Sequence, residues 1–187
     1  MALKRFGVGR GQLELNNVFF RREGAIEAQC ALDPTKFATE GNEGNGKVYA
    51  ENGMILAVDK ANGIVTFATE DNKDLPLALN YSTEHMYDER KENLGSYYLP
   101  AGTFYPRMGY IKKGEIFTTN CVGYDAEEFA NNEAVKETFE KKTAIYGVAS
   151  EEGLIKITKT ATDALLKVVK YYTMPDGTPG IKFQVIK

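Results

Sequence analysis

Among 187 residues there is one histidine, His85 in Ser82-Thr83-Glu84-His85-Met86-Tyr87, and two cysteines, Cys30 and Cys121. A Ser-His or Cys-His centre needs the imidazole as proton acceptor, so it would have to use His85, and no Gly-x-Ser-x-Gly elbow accompanies it. The residue is expected to be a surface or loop-packing histidine. Zinc sites use clustered Cys and His, whereas these three residues are scattered and neither cysteine has a Cys-x-x-Cys mate. The expectation is no metal and two reduced, buried thiols. Carboxylates gather at Glu70-Asp71 with Asp74, at Glu127-Glu128 and at Glu151-Glu152. Glycoside hydrolysis needs two carboxyl groups ~5–10 Å apart in a cleft; these fall at expected turns and on a helix face, where solvated charge is the ordinary outcome. Asp59-Lys60-Ala61-Asn62-Gly63 lacks the alternating oxygens and closing glutamate of a calcium loop. Gly7-Val8-Gly9-Arg10-Gly11 lacks the preceding strand, following helix and lysine of a phosphate cradle. No cofactor is expected, and the chain does not read as an enzyme.

Charge points instead to contacts. The net charge is −3, which provides no general argument for nucleic-acid binding. The first 30 residues nevertheless carry Lys4, Arg5, Arg10, Arg21 and Arg22 against three glutamates, so a mildly basic arm precedes a mildly acidic body. With glycines at 7, 9 and 11, the opening stretch reads as an extended arm with little to pack, of the kind that orders on a partner. Those five basic residues are the candidate partner-binding set. The tyrosines Tyr97, Tyr98, Tyr105, Tyr110, Tyr171 and Tyr172 suit strand packing first and a ligand face second.

The elements that position these residues are mostly strands. Eleven Tyr, ten Phe, no Trp and 18 Gly fit pleated surfaces joined by tight turns. The clearest signal is a three-stranded meander over 47–51, 54–59 and 64–69, with Asn52-Gly53 and Asn62-Gly63 as type I′ turns. Further strands are expected at 13–20, 25–31, 77–81, 97–99, 103–105, 115–122, 144–149, 154–158, 166–172 and 180–186. One amphipathic helix is expected near 126–142, capped by Asp125 with Glu128, and a weaker helical pattern spans 83–93. The fold class is mainly β: a small barrel or sandwich of short antiparallel strands, one inserted helix and an extended N-terminal arm. The organisation expected is arm and linker over 1–46 and a β-rich body over 47–187. No apolar run approaches the ~20 residues of a membrane span, and no signal-peptide pattern opens the chain.

Two segments carry a resemblance. One runs from Asn80-Tyr81-Ser82-Thr83-Glu84-His85-Met86-Tyr87 through Tyr105-Pro106-Arg107-Met108-Gly109 to Gly114-Glu115-Ile116-Phe117-Thr118-Thr119-Asn120. The other is Met174-Pro175-Asp176-Gly177-Thr178-Pro179-Gly180-Ile181-Lys182-Phe183. Together they resemble the head-decoration or capsid-cement proteins of tailed bacteriophages, in which a Gly-Asp/Glu-x-Phe-Thr-Thr-Asn stretch and a Pro-Asp-Gly turn recur. The resemblance implies a virion structural protein made in the host cytoplasm and bound outside the shell to the major capsid protein, as a trimer or dimer. It carries no active-site residues. The alternatives are a β-rich module binding a small molecule or glycan, such as a host-contact protein, and a minor head or tail component.

Overall fold

The computed structural model describes residues 2–7, 9–13, 24–44, 46–82, 97–102, 105–174 and 177–187. In chain order the first seven strands are β1 (Lys4–Arg5), β2 (Ile26–Glu27), β3 (Ala31–Leu32), β4 (Ile55–Asp59), β5 (Ile64–Phe67), β6 (Leu77–Asn80) and β7 (Met108–Tyr110). They are followed by β8 (Ile116–Thr119), β9 (Val122–Tyr124), helix α1 (Asn132–Glu140), β10 (Tyr146–Ala149), β11 (Ile155–Thr158), β12 (Leu166–Thr173) and β13 (Pro179–Val185). The chain is mainly β, and α1 is the one α-helix among the described residues.

The strands form two sheets, ordered β1-β9-β11-β10-β12-β13-β8 and β2-β7-β6-β4-β5-β3. Pairing is antiparallel except for β11 with β9 and β3 with β5. In β11, Ile155 and Ile157 are buried while Lys156 and Thr158 are half-buried, the period-2 alternation of a sheet with one apolar face. In β4, Ile55, Leu56, Ala57 and Val58 are all buried, which only a strand covered on both faces tolerates. Ile55 and Leu79 join one core with Phe117, Ile155, Leu166 and Phe183 of the larger sheet. Leu56 and Val58 join a second core with Phe37, Tyr97 and Leu99. The arrangement is sandwich-like. It is not a closed barrel: β8 is one edge of the larger sheet and β9 lies next to the other edge strand, although only Asn120 and Cys121 separate them in sequence.

Several expectations are corrected. The opening segment is extended, but it is packed inside the fold. β1 pairs with β9, Phe6 and Leu13 are buried in the first core, and Leu13 bridges Thr119 at the end of β8. Phe6 and Leu13 are the reason, because each buries an apolar side chain that an unpacked arm would leave in water. Residue 46 is likewise no boundary, since β2 pairs with β7, β3 with β5, and Phe37 bridges Val48. The three-stranded meander reduces to the β4–β5 hairpin, and the second neighbour of β4 is β6. Residues 47–51 contribute only isolated bridges, Lys47 to Gly44, Val48 to Phe37 and Ala50 to Leu99. Nor is Asn62-Gly63 a type I′ turn: Asp59 pairs with Ile64, Gly63 alone of the two has positive φ, and the Asp59 carboxylate accepts from Asn62 N at 3.0 Å.

The helix is also shorter than expected. Its cap is Asn131, whose Oδ1 accepts from Ala134 N at 2.9 Å. Asp125 instead shapes a preceding turn, its carbonyl accepting from Glu128 N and Phe129 N, while its carboxylate meets Lys156 Nζ at 2.6 Å. His85, Arg21, Arg22, the 83–93 helical pattern, most of the 13–20 strand and residues 103 and 104 lie outside the described residues.

Candidate functional site

The structure places Arg5 and Arg10 around one buried carboxylate. Glu51 lies in the chain just before the Asn52-Gly53 bend and its side chain is only 5% exposed. Arg5 reaches it through both terminal nitrogens, Nη2 making the closer contact. Arg10 Nη1 approaches at 3.4 Å, and Gly11 N donates to the same carboxylate. Burial opposes the Arg5 charge, but the hydrogen bond and charge of Glu51 outweigh it and hold the guanidinium above its ordinary range. Arg10 also forms a two-pronged pair with Glu43, at 3.1 and 2.9 Å, which holds the Glu43 carboxyl below the usual carboxylate range. The Arg10 guanidinium lies 5.1 and 4.7 Å from the ring centres of Tyr49 and Tyr98, themselves stacked at 4.5 Å. Arg5 and Arg10, the two arginines of the candidate partner-binding set among the described residues, are thus engaged within the chain. Lys4 is exposed, and its Nζ donates to the Ala130 carbonyl at 3.4 Å.

Beside this cluster runs a buried polar seam where the two sheets meet. Asn80 Nδ2 donates to the Glu51 carbonyl at 2.9 Å, and Gly53 N donates to the Asn80 carbonyl at 2.8 Å. Gln12 N donates to Asn120 Oδ1, Thr119 Oγ1 donates to the Gln12 carbonyl, and Cys121 N donates to Thr119 Oγ1 at 2.9 Å. Next to it, Arg107 donates through N to Ser82 Oγ at 2.9 Å and through Nε to Tyr81 Oη at 2.7 Å. The hydrogen bonds of the seam lie in an apolar surround, where such bonds are electrostatically stronger than in water. Cys121 is fully buried within it, and desolvation pushes its thiol strongly up, so it is held as an inert thiol. Cys30 is buried in the second core, also as a free thiol.

The third feature is a cleft of about 1010 Å³ where the ends of β5, β6 and β7 meet the β10–β11 hairpin. It brings together the three acidic groups that the sequence keeps apart: Glu70, Glu127, and Glu151 with Glu152, joined by Asp125 and Asp163. Lys73, Lys156 and Lys187 line it as well, so carboxylates outnumber ammonium groups. Glu152 accepts from Leu3 N at 3.1 Å, tying the first strand to the cleft wall. Only Tyr110 among the tyrosines lines it, so it is not an aromatic ligand face. Among the described residues no group of three or more His, Cys, Asp or Glu is arranged to hold a metal ion.

The role of Glu51 was not legible in the sequence, where it reads as the last residue of a strand over 47–51 before the Asn52-Gly53 turn. The one sequence signal was the unusual excess of arginine ahead of an acidic body, which calls for a counter-charge somewhere. Compared with protein-family models, curated proteins and solved structures, the chain has no match.

Proposed function

We propose that this chain is a structural protein of a bacteriophage particle, seated on the outside of the capsid as a decoration or cement protein. The observation that supports the reading best is where the residues carrying the resemblance lie. Tyr81, Ser82 and Arg107, and Thr119 and Asn120, belong to the hydrogen-bonded seam between the sheets and its margin. They serve as a joint and expose no reactive group. With the N-terminal strand clamped to both sheets through Glu51, the body is pre-organised, which lowers the ordering cost of docking on a lattice. The partner in this reading is the major capsid protein, with self-association into a dimer or trimer. Because Arg5 and Arg10 are engaged within the chain, the contacts fall to exposed surface beyond the N-terminal strand.

The test is co-sedimentation of the purified chain with assembled shells that lack it, followed by imaging of the decorated particles. Regular added density at symmetry-related positions is expected; absence of binding at saturating chain sinks the reading. A second reading, a module for a small molecule or glycan, is favoured by the 1010 Å³ cleft, a size that ligand sites commonly have. Saturable calorimetric binding of a glycan without shell binding would put it first.

A further inference from the structure

The outward face of β12 and β13 is basic on an acidic molecule. Register places Lys170 directly opposite Lys182, and Lys167 opposite Gln184. On β8, Thr118 opposite Lys182 is fully buried, while Ile116 opposite Gln184 is exposed, so the open face comprises β12, β13 and the Ile116 end of β8. A β-bulge between Val168 and Lys170 turns Val169 outward as well, so Val169 and Ile116 are each 43% exposed beside the lysines. Like charges directly across a ladder are destabilising. Here the Lys170 and Lys182 ammonium groups sit 5.9 and 5.3 Å from the Tyr172 ring centre, and neither forms an ion pair among the described residues. Lys167 forms none either. A like-charged pair on a bulged, partly apolar sheet face, in a chain of net charge −3, is electrostatically suited to an external anion.

The matching anion is on the same molecule. In the cleft, Glu70, Glu127, Glu151 and Asp163 are exposed and form no ion pair among the described residues. We propose that the lysine face of β12 and β13 docks against the acidic cleft of a second copy of this chain, so that copies associate head to tail. The two surfaces differ, so the contact is heterologous and extends into rings or rows. The inference deepens the reading of the chain as a lattice protein and rests on it. Because it is tested in solution without a shell, its failure and the failure of capsid binding are distinguishable.

The experiment is sedimentation velocity at about 10 mM ionic strength, where charges act over ~30 Å, and at about 1 M, where they act over ~3 Å. The wild-type chain is expected to associate at low salt and dissociate at high salt. The double variant Lys170→Glu with Lys182→Glu, and separately Glu127→Lys with Glu151→Lys, should each weaken association by more than about 100-fold through like-charge contacts. Mixing the two variants should restore it, since each then supplies the charge the other lacks. Circular dichroism of each variant confirms folding, with Lys170, Glu127 and Glu151 exposed and Lys182 half-buried on the outward face. A wild-type chain that stays monomeric at low salt overturns the proposal. So does association that persists in either variant, or a mixture that fails to recover.

Discussion

Gly53 sits where chain geometry and packing demand the same thing. Its φ is +89°, and a Cβ there would lie 2.2 Å from Thr119 Oγ1 and 2.9 Å from Cys121 Cβ. Gly41 also has positive φ, at +74°, but nothing lies within 4 Å of a Cβ built on it. Gly41→Ala should therefore cost only the backbone term, about 1 kcal/mol. Gly53→Ala adds overpacking of the seam and should cost about 3–5 kcal/mol. Calorimetric unfolding of the two variants separates the terms; equal losses would mean that the seam yields freely. Tyr97 makes a pH argument at the same scale. Desolvation pushes its hydroxyl up to about 12, against about 10 in an unfolded chain. In that window the unfolded state is deprotonated and the native state is not, so folding loses stability as pH rises from about 10 to about 12. Tyr97→Phe should flatten this decline, read as a smaller drop in melting temperature between pH 9 and 12.

Helix α1 illustrates how a short element takes its limits from its surroundings. Val135 is its one fully buried residue, and Asn132 is held at the first turn by the Tyr124 hydroxyl at 2.9 Å and by donation to the Phe6 carbonyl. The stretch from Asp125 stays non-helical because Asp125 serves Lys156 and Glu128 serves β11, its carboxylate accepting from Thr158 Oγ1 at 3.0 Å. Asn131→Ala removes the cap and should cost about 1 kcal/mol. The same loss is not expected for Asp125→Asn, which leaves the Asn131 cap untouched. Urea unfolding of both variants decides which residue caps the helix.

At the scale of the molecule, the N-terminal strand is a structural staple. It runs from β1, at one edge of the larger sheet, to Leu13, bridged to the end of β8 at the other. On the way it buries Phe6, and Arg5 and Gly11 bond Glu51. Trypsin should therefore cut slowly after Lys4, Arg5 and Arg10 in the native chain. Deleting residues 2–13 should remove ~5 kcal/mol or more, since burying one Phe and one Leu side chain contributes on that order. Rapid tryptic loss of the segment from an otherwise folded chain would restore the picture of a free arm.

Most of the strand positions were legible in the sequence. β6, β10, β11, β12 and β13 fall within a residue or two of the expected runs, because period-2 alternation and flanking Gly turns report a half-buried strand locally, whereas the single run expected over 115–122 is split at Asn120-Cys121 between β8 and β9. Charge asymmetry and the scarcity of histidine and cysteine were legible too. What tertiary structure alone decided is which segments meet. Glu51 became the counter-charge of Arg5 and Arg10 because an otherwise unremarkable bend is buried at the sheet junction, and burial strengthens an ion pair that would be nearly silent in water. The acidic groups at 70, 127 and 151 share a cleft only because two hairpins distant in sequence end at one place. Such long-range pairings carry no local signal: alternation fixes which face a residue takes, and only packing chooses the neighbour across it.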